Sequence, residues 1–254
     1  MNSEELKEFL DYKVDQYNQI KFIESDPIQI PHQFSEKEDI AIAGFITATL
    51  AWGQRKTIIK SANKFMTLMG NTPFDFVMSA TDNQIERLSL FKHRTFNGYD
   101  AKHLIQAIRG IYREYGSFDA AFLEGIQPGD TNLCNTIVHF RNSLFGVEKT
   151  RTHKHVSDPS RGSAAKRINM FLRWMCRKDN KGVDFGIWDI PSSLLSCPLD
   201  VHSGNVARKL GLLSRKQNDW KAVMELDDAL RRMDPKDPVK YDFALFGLGV
   251  FEKF

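Results

Sequence analysis

A chain of 254 residues that is 42% hydrophobic and 26% charged carries enough apolar material to bury a substantial core. With 35 Lys and Arg against 32 Asp and Glu, its formal charge of +3 does not by itself select a partner, so only the distribution of charge is informative. Three widely spaced cysteines, Cys134, Cys176 and Cys197, exclude a disulfide framework and a zinc or iron–sulfur ligand set, and are expected to be reduced and structural.

The N-terminus, MNSEELKEFL, is acidic and amphipathic, with no basic region leading into an apolar one. No export is expected, and the protein is placed in the cytoplasm. Apolar residues then recur at three- and four-residue spacing over 3–20, 36–51, 55–69, 82–91, 100–115, 130–145, 162–178, 200–211, 217–232 and 238–250, which predicts helices there. Ser3, Ser35, Asp100 and Asp130 suit helix starts, and Gly70, Gly116 and Gly211 suit ends. The longest apolar run, IAIAGFITATLAWG (40–53), contains Thr and Gly and is too short to span a bilayer, so a buried core helix is expected. Period-two alternation is scarce, and the fold class follows as all-α. Two connections, 146–161 and 179–198, are longer than a compact bundle needs.

Charge is unevenly spread. Residues 1–40 hold ten acids against four Lys/Arg, whereas residues 149–181 hold ten Lys/Arg (Lys149, Arg151, Lys154, Arg161, Lys166, Arg167, Arg173, Arg177, Lys178 and Lys181) against Asp158 and Asp179. A segment of this kind suits a phosphate backbone, because cations that displace condensed counterions supply most sequence-independent affinity for nucleic acid; a solvated basic helix and loop would read the same way. Within it, Ile168, Phe171, Leu172 and Met175 form an apolar stripe, with Lys166, Arg173 and Arg177 on another face. Gly162 stands where a tight turn brings backbone N–H groups toward an anion at a helix start.

Asp200 opens the next helix, VHSGNVARKL, and suits an N-cap, with Val206 and Leu210 on the buried face and Gly211 at the end. Capping and catalysis are compatible roles for one carboxylate, and the sequence leaves both open.

The ordered segments Gly162-Ser163-Ala164-Ala165-Lys166-Arg167-Ile168-Asn169 and Pro198-Leu199-Asp200-Val201-His202, continuing to Val206-Ala207-Arg208-Lys209-Leu210-Gly211, resemble the hairpin-and-lysine and aspartate-bearing segments of the helix-hairpin-helix DNA glycosylases of the endonuclease III superfamily. Thr49-Leu50-Ala51-Trp52-Gly53-Gln54 is similar to that family's glutamine-bearing turn, and Tyr99-Asp100-Ala101-Lys102-His103-Leu104 to its next helix start. The likeness runs over roughly 38–212. It implies a two-lobed, all-α fold in a single domain, 1–254, with 52–160 as one lobe and 1–51 plus 161–254 as the other, binding double-stranded DNA that carries a damaged base. By the same resemblance Lys166 would be the lyase nucleophile and Asp200 the catalytic carboxylate. Gly162, Ser163, Arg161, Arg167, Arg173 and Gln54 would contact DNA. Trp52, Phe185, Trp188 and His202 are candidates for walls of a pocket holding the extruded base, and equally for ordinary core or surface positions.

The chemistry asks for these residue types. Positive charge develops on the sugar as the base leaves, and an ionised carboxylate beside that carbon stabilises it. A neutral lysine amine then forms a Schiff base, for which Lys166 needs a lowered pKa from burial or from Arg167 and Arg173. The chain departs from the family pattern in placing Ala164 where a second Gly is usual and Arg161 where Pro is usual; its interval between lysine and aspartate is long, as in archaeal 8-oxoguanine glycosylases. No cofactor, no metal and no membrane partner is expected. Two other readings are carried: a non-catalytic nucleic-acid-binding protein on the same scaffold, motivated by Ala164, and a metal-dependent hydrolase using His153, His155, Asp200 and His202. Near the C-terminus, no mechanistic reason singles out Tyr241 or Asp242.

Overall fold

Asn2 caps the first helix: its side chain accepts the Glu4 and Glu5 N–H groups while Glu5 reaches back to the Asn2 N–H. This computed structural model describes residues 2–146 and 150–254, so Lys149 of the basic segment lies outside the described residues. Helix accounts for 66% of the structure and strand for 2%, an all-α protein. In chain order the helices are α1 (Ser3–Tyr17), α2 (Lys37–Leu50), α3 (Arg55–Leu68), α4 (Pro73–Ser79), α5 (Asp82–Glu86), α6 (Gly98–Tyr115), α7 (Phe118–Glu124), α8 (Cys134–Phe145), α9 (Lys166–Cys176), α10 (Val201–Lys209), α11 (Trp220–Met233) and α12 (Tyr241–Val250). A two-residue hairpin, β1 (Lys92–His93) with β2 (Phe96–Asn97), is the sheet. Among the described residues no helix is long and apolar enough to cross a membrane. The apolar run at 40–53 forms most of α2, in which every residue from Ile40 to Leu50 is buried.

Two compact units divide the chain. One comprises Met1–Phe22, Gln127–Asn135 and Asp158–Phe254, the other Ile23–Ile126 and Thr136–Ser157. The boundary differs from the expected division, because residues 23–51 belong with the segment that follows them. Side-chain packing gives the reason: the Phe45 ring of α2 meets Phe118 edge-on at 5.2 Å and Phe140 at 5.6 Å, and Phe122 stacks on Phe140 at 4.0 Å. Residues 127–135 join the other unit, where the Asn132 amide contacts the Met224 sulfur at 3.4 Å.

In the unit containing α2, the start of α6 is fixed by Asn97, not by Asp100. The Asn97 side chain accepts the Asp100 N–H at 3.3 Å, and the Asp100 carboxylate accepts the Asn97 N–H at 3.0 Å, which moves the helix start to Gly98. Gly98 has no room for a side chain, since a Cβ there would collide with the Ser89 backbone. Gly98→Ala is expected to lower unfolding stability by about 1–3 kcal/mol through overpacking, read from chemical denaturation; a change within about 0.5 kcal/mol would show that the Ser89 turn yields.

In the unit containing α9 and α10, α1 and α10 both pack on α12. Leu10, Val206, Leu226, Leu230, Leu245 and Leu248 meet in its core. Gly247 lets the Tyr17 ring lie directly on α12, where a side chain would strike it.

Candidate functional site

Residues 158–165 form a 3-10 turn followed by an isolated bridge residue and are not the first turn of a helix. The Asp158 carboxylate accepts the Ser160 N–H at 3.1 Å and opens a single 3-10 turn that Gly162 closes at φ +87°. Ser163 forms an antiparallel bridge with Asp219, and the Trp220 N–H donates to the Gly162 carbonyl at 3.0 Å. Ala165 sits at φ +48°, a left-handed conformation that strains an L-residue, and α9 starts only after it. The expected helix over 162–178 is shortened for this reason, and Lys166 becomes its first residue.

That placement brings Lys166 to Asp200. The lysine Nζ lies 3.9 Å from Asp200 Oδ2, with the two side chains 28% and 30% exposed. The carboxylate divides its work between two oxygens. Oδ1 accepts the His202 N–H at 2.8 Å and the Ser203 N–H at 3.1 Å, capping α10, while Ser203 Oγ accepts the Asp200 N–H at 2.9 Å. Oδ2 faces the lysine. The cap fixes the carboxylate's direction, so no flexible rotor stands between the helix and the amine. The Lys166 Nζ also touches the Met170 sulfur at 3.4 Å.

Behind this pair lies a buried ion network. Arg173, 3% exposed, donates to Asp184 at 3.2 Å and to Asp242. Arg177 reaches Asp184 at 3.1 Å, Asp237 at 3.0 Å and Asp179 at 2.6 Å. Burial pushes Asp242 up to about 6 against the opposing pull of Arg173 and Lys166, and the neighbouring Asp200 charge pushes it further. Asp242 is therefore electrostatically part of the Lys166–Asp200 site. On the other side of Cys197, Asp227 accepts the Cys197 N–H at 2.9 Å and is pushed by burial up to about 7. The Cys197 thiol, 4.0 Å from Asp242 and wholly buried, is raised well above its ordinary value by burial first and by these acids second.

The raised Asp227 has a consequence for stability. Its folded pKa exceeds the unfolded value, so the fold holds a proton between about pH 4 and 7 that the unfolded chain has released. The contribution from this group is present below that window and lost as pH rises through 7. Asp227→Asn keeps an acceptor for the Cys197 N–H and removes the buried charge. The variant is expected to melt above the native protein at pH 8, with the gap closing toward pH 4; a pH-independent gap in a melting series counts against burial as the cause.

Not every expected site residue joins the pair. Arg161 and Gly162 are exposed on this turn, and Ser163 stands beside them, partly covered. Arg167 is partly covered, and burial draws its guanidinium down to about 10, still protonated at neutral pH. His202 is exposed in the first turn of α10 and Phe185 is half-buried. Arg173 corrects the expectation of a DNA contact: it is buried among carboxylates. Trp188 likewise is a core residue, 1% exposed and edge-on to Phe171 at 5.2 Å, so it presents no wall to a ligand. The cationic segment is smaller than its sequence implies, because Arg151, Arg173, Arg177, Lys178 and Lys181 all make ion pairs.

Trp52 and Gln54 belong to the other unit. Trp52 packs edge-on against His93 at 4.9 Å and stacks on His155 at 5.7 Å, and Gln54 is exposed at the start of α3. Arg94, which the sequence did not single out, lies at the hairpin tip at φ +54° with its guanidinium over Gly53. His155 is bound to the buried Asp100 carboxylate at 3.3 Å and His153 to the Thr150 N–H at 3.0 Å. Among the described residues no three His, Cys, Asp or Glu side chains gather as a metal ion would require.

The fold and site together define an all-α protein in which a lysine at the head of one helix faces the N-capping aspartate of another. Residues 26–251 match the family described as "Protein of unknown function (DUF2400)", and the chain belongs to that family. No curated protein and no solved structure matches the chain.

Proposed function

We propose that this protein is a DNA base-excision glycosylase with lyase activity, on a helix-hairpin-helix scaffold, and that double-stranded DNA carrying a damaged base is its substrate. The observation that carries the reading is the 3.9 Å approach of Lys166 Nζ to Asp200 Oδ2, with Oδ1 pinned in a cap and both groups reachable from solvent. In the reaction the bond from the sugar C1′ to the base breaks, and its electron pair leaves with the base, which takes up a proton. The Asp200 carboxylate stabilises the cationic sugar at that moment. The Lys166 amine bonds to C1′ and gives up one proton, the C1′–O4′ bond then opens with O4′ taking a proton to leave a protonated Schiff base, and loss of a C2′ proton eliminates the phosphate on the 3′ side. Arg161, exposed on the turn before Lys166, suits the adjoining phosphate.

A scaffold that binds nucleic acid without chemistry was suggested by Ala164 in place of Gly. Ala164 packs against the hydrophobic core, so its methyl group is directed away from a ligand on this turn, and the substitution is no argument against catalysis. The test is covalent trapping. The native protein, incubated with abasic and oxidised-base duplexes under borohydride, is expected to form a protein–DNA adduct. A panel that yields neither adduct nor released base, at protein concentrations that saturate the duplexes, overturns the reading.

A further inference from the structure

We infer that the loop Ser214–Lys221 is a second phosphate-binding element, which grips the backbone of the nucleic acid beside the turn at 158–165; this rests on the nucleic-acid partner proposed above. The segment 208–221 carries Arg208, Lys209, Arg215, Lys216 and Lys221 against the single acid Asp219. It is anchored to both halves of the site. The Trp220 N–H holds the Gly162 carbonyl at 3.0 Å, Asp219 bridges to Ser163, and the Asn218 side-chain amide donates to the Asp200 carbonyl at 2.9 Å.

The loop is also stiff. Arg208 donates to the Arg215 carbonyl at 2.8 Å, Glu225 accepts the Ser214 N–H at 2.6 Å and the Arg215 N–H at 3.3 Å, and Asp219 holds the Arg215 guanidinium. Asp219, the acid of the loop, and Glu225 of α11 are thereby committed to holding it. Lys216 and Lys221 are exposed and make no ion pair among the described residues, and the same holds for Arg161. The antiparallel contact that pairs Gly162 with Trp220 makes Arg161 and Lys221 the next residues on either side of it. A shallow depression of about 500 Å³, lined by Ser214, Arg215, Lys216, Gln217, Lys221 and Glu225, opens there. Unpaired cations held close on a rigid frame repel one another, and a polyanion relieves that repulsion while releasing its own counterions. The basic surface thus runs from Arg161 onto this loop, whereas Arg151, Arg173, Arg177, Lys178 and Lys181 are already paired with acids.

The experiment compares native protein with Lys216→Gln/Lys221→Gln, using fluorescence anisotropy on a labelled undamaged duplex across a series of KCl concentrations. Each lysine is expected to contribute about one unit to the slope of log affinity against log salt, and roughly tenfold in affinity near 0.1 M salt. The same loss should appear on undamaged and abasic duplexes. An unchanged slope in the double variant, with native duplex binding and the borohydride adduct intact, overturns the loop assignment alone. Absence of salt-dependent duplex binding by the native protein overturns this inference and the proposed function together. A circular-dichroism melt of the variant, whose changes lie on exposed side chains, separates lost contact from lost fold.

Discussion

Lys166→Ala is expected to erase the borohydride-trapped adduct, and Asp200→Asn to slow base release by about 10²–10³-fold while the protein stays folded. The two variants separate the roles that meet at the site. In the proposed reaction the amine bonds to the sugar, so its loss removes the covalent product whatever happens to base release. Asparagine keeps an oxygen for the His202 and Ser203 N–H groups, which retains the cap to within a few tenths of a kcal/mol. What it removes is the charge that Oδ2 presents to the lysine. Asp200→Ala loses both, with about 1 kcal/mol of stability added to the kinetic defect. Base release unchanged in Asp200→Asn, measured in single turnover, would reduce the carboxylate to a helix cap.

Arg173→Ala is expected to cost about 3–5 kcal/mol, because it leaves buried Asp184 and Asp242 without their shared cation. The loss has a signature in pH. Asp242 already titrates near 6 in the fold, above its unfolded value, so its contribution is present below about pH 4 and lost as pH rises through 6. Without the guanidinium that window moves upward, and acidification should recover part of the missing stability. Restoring Asp242 to a neutral group in the same chain, as Arg173→Ala/Asp242→Asn, should recover part of it at pH 7. A denaturation midpoint for Arg173→Ala within experimental error of the native one, at both pH values, would mean that water reaches these carboxylates.

The parts of the site that were legible in sequence are those with local causes. An aspartate ahead of VHSGNV caps a helix by the chemistry of its own first turn, and a glycine four residues before a lysine marks a turn that Gly162 does make. What was illegible depends on partners far along the chain. Arg173 shares a helix with Lys166 and was placed among the solvent-facing cations, yet Asp184 and Asp242 close over it from the following connection and from α12. Counting charge over 149–181 could not register those acids, nor Asp15 or Asp100. Asp242 carried no signal of its own, since its relevance arises from burial beside Lys166 and Asp200. The seven-residue helices α4 and α7 are shorter than the window in which periodicity can be recognised, although Pro73 and Ser117 stand at their starts. Ala165 in the left-handed region could not be foreseen, because only the completed turn, bridged to Asp219, obliges it to bend that way.

One carboxylate closes the end of α10 with one oxygen and meets the amine with the other. Under the proposed function, catalytic readiness and local helix integrity are consequently a single variable: when the opening turn frays, the acid swings off with it. Hydrogen exchange at the amides of His202 and Ser203 would therefore double as a clock for how often the proposed site is disarmed, with no substrate in the tube.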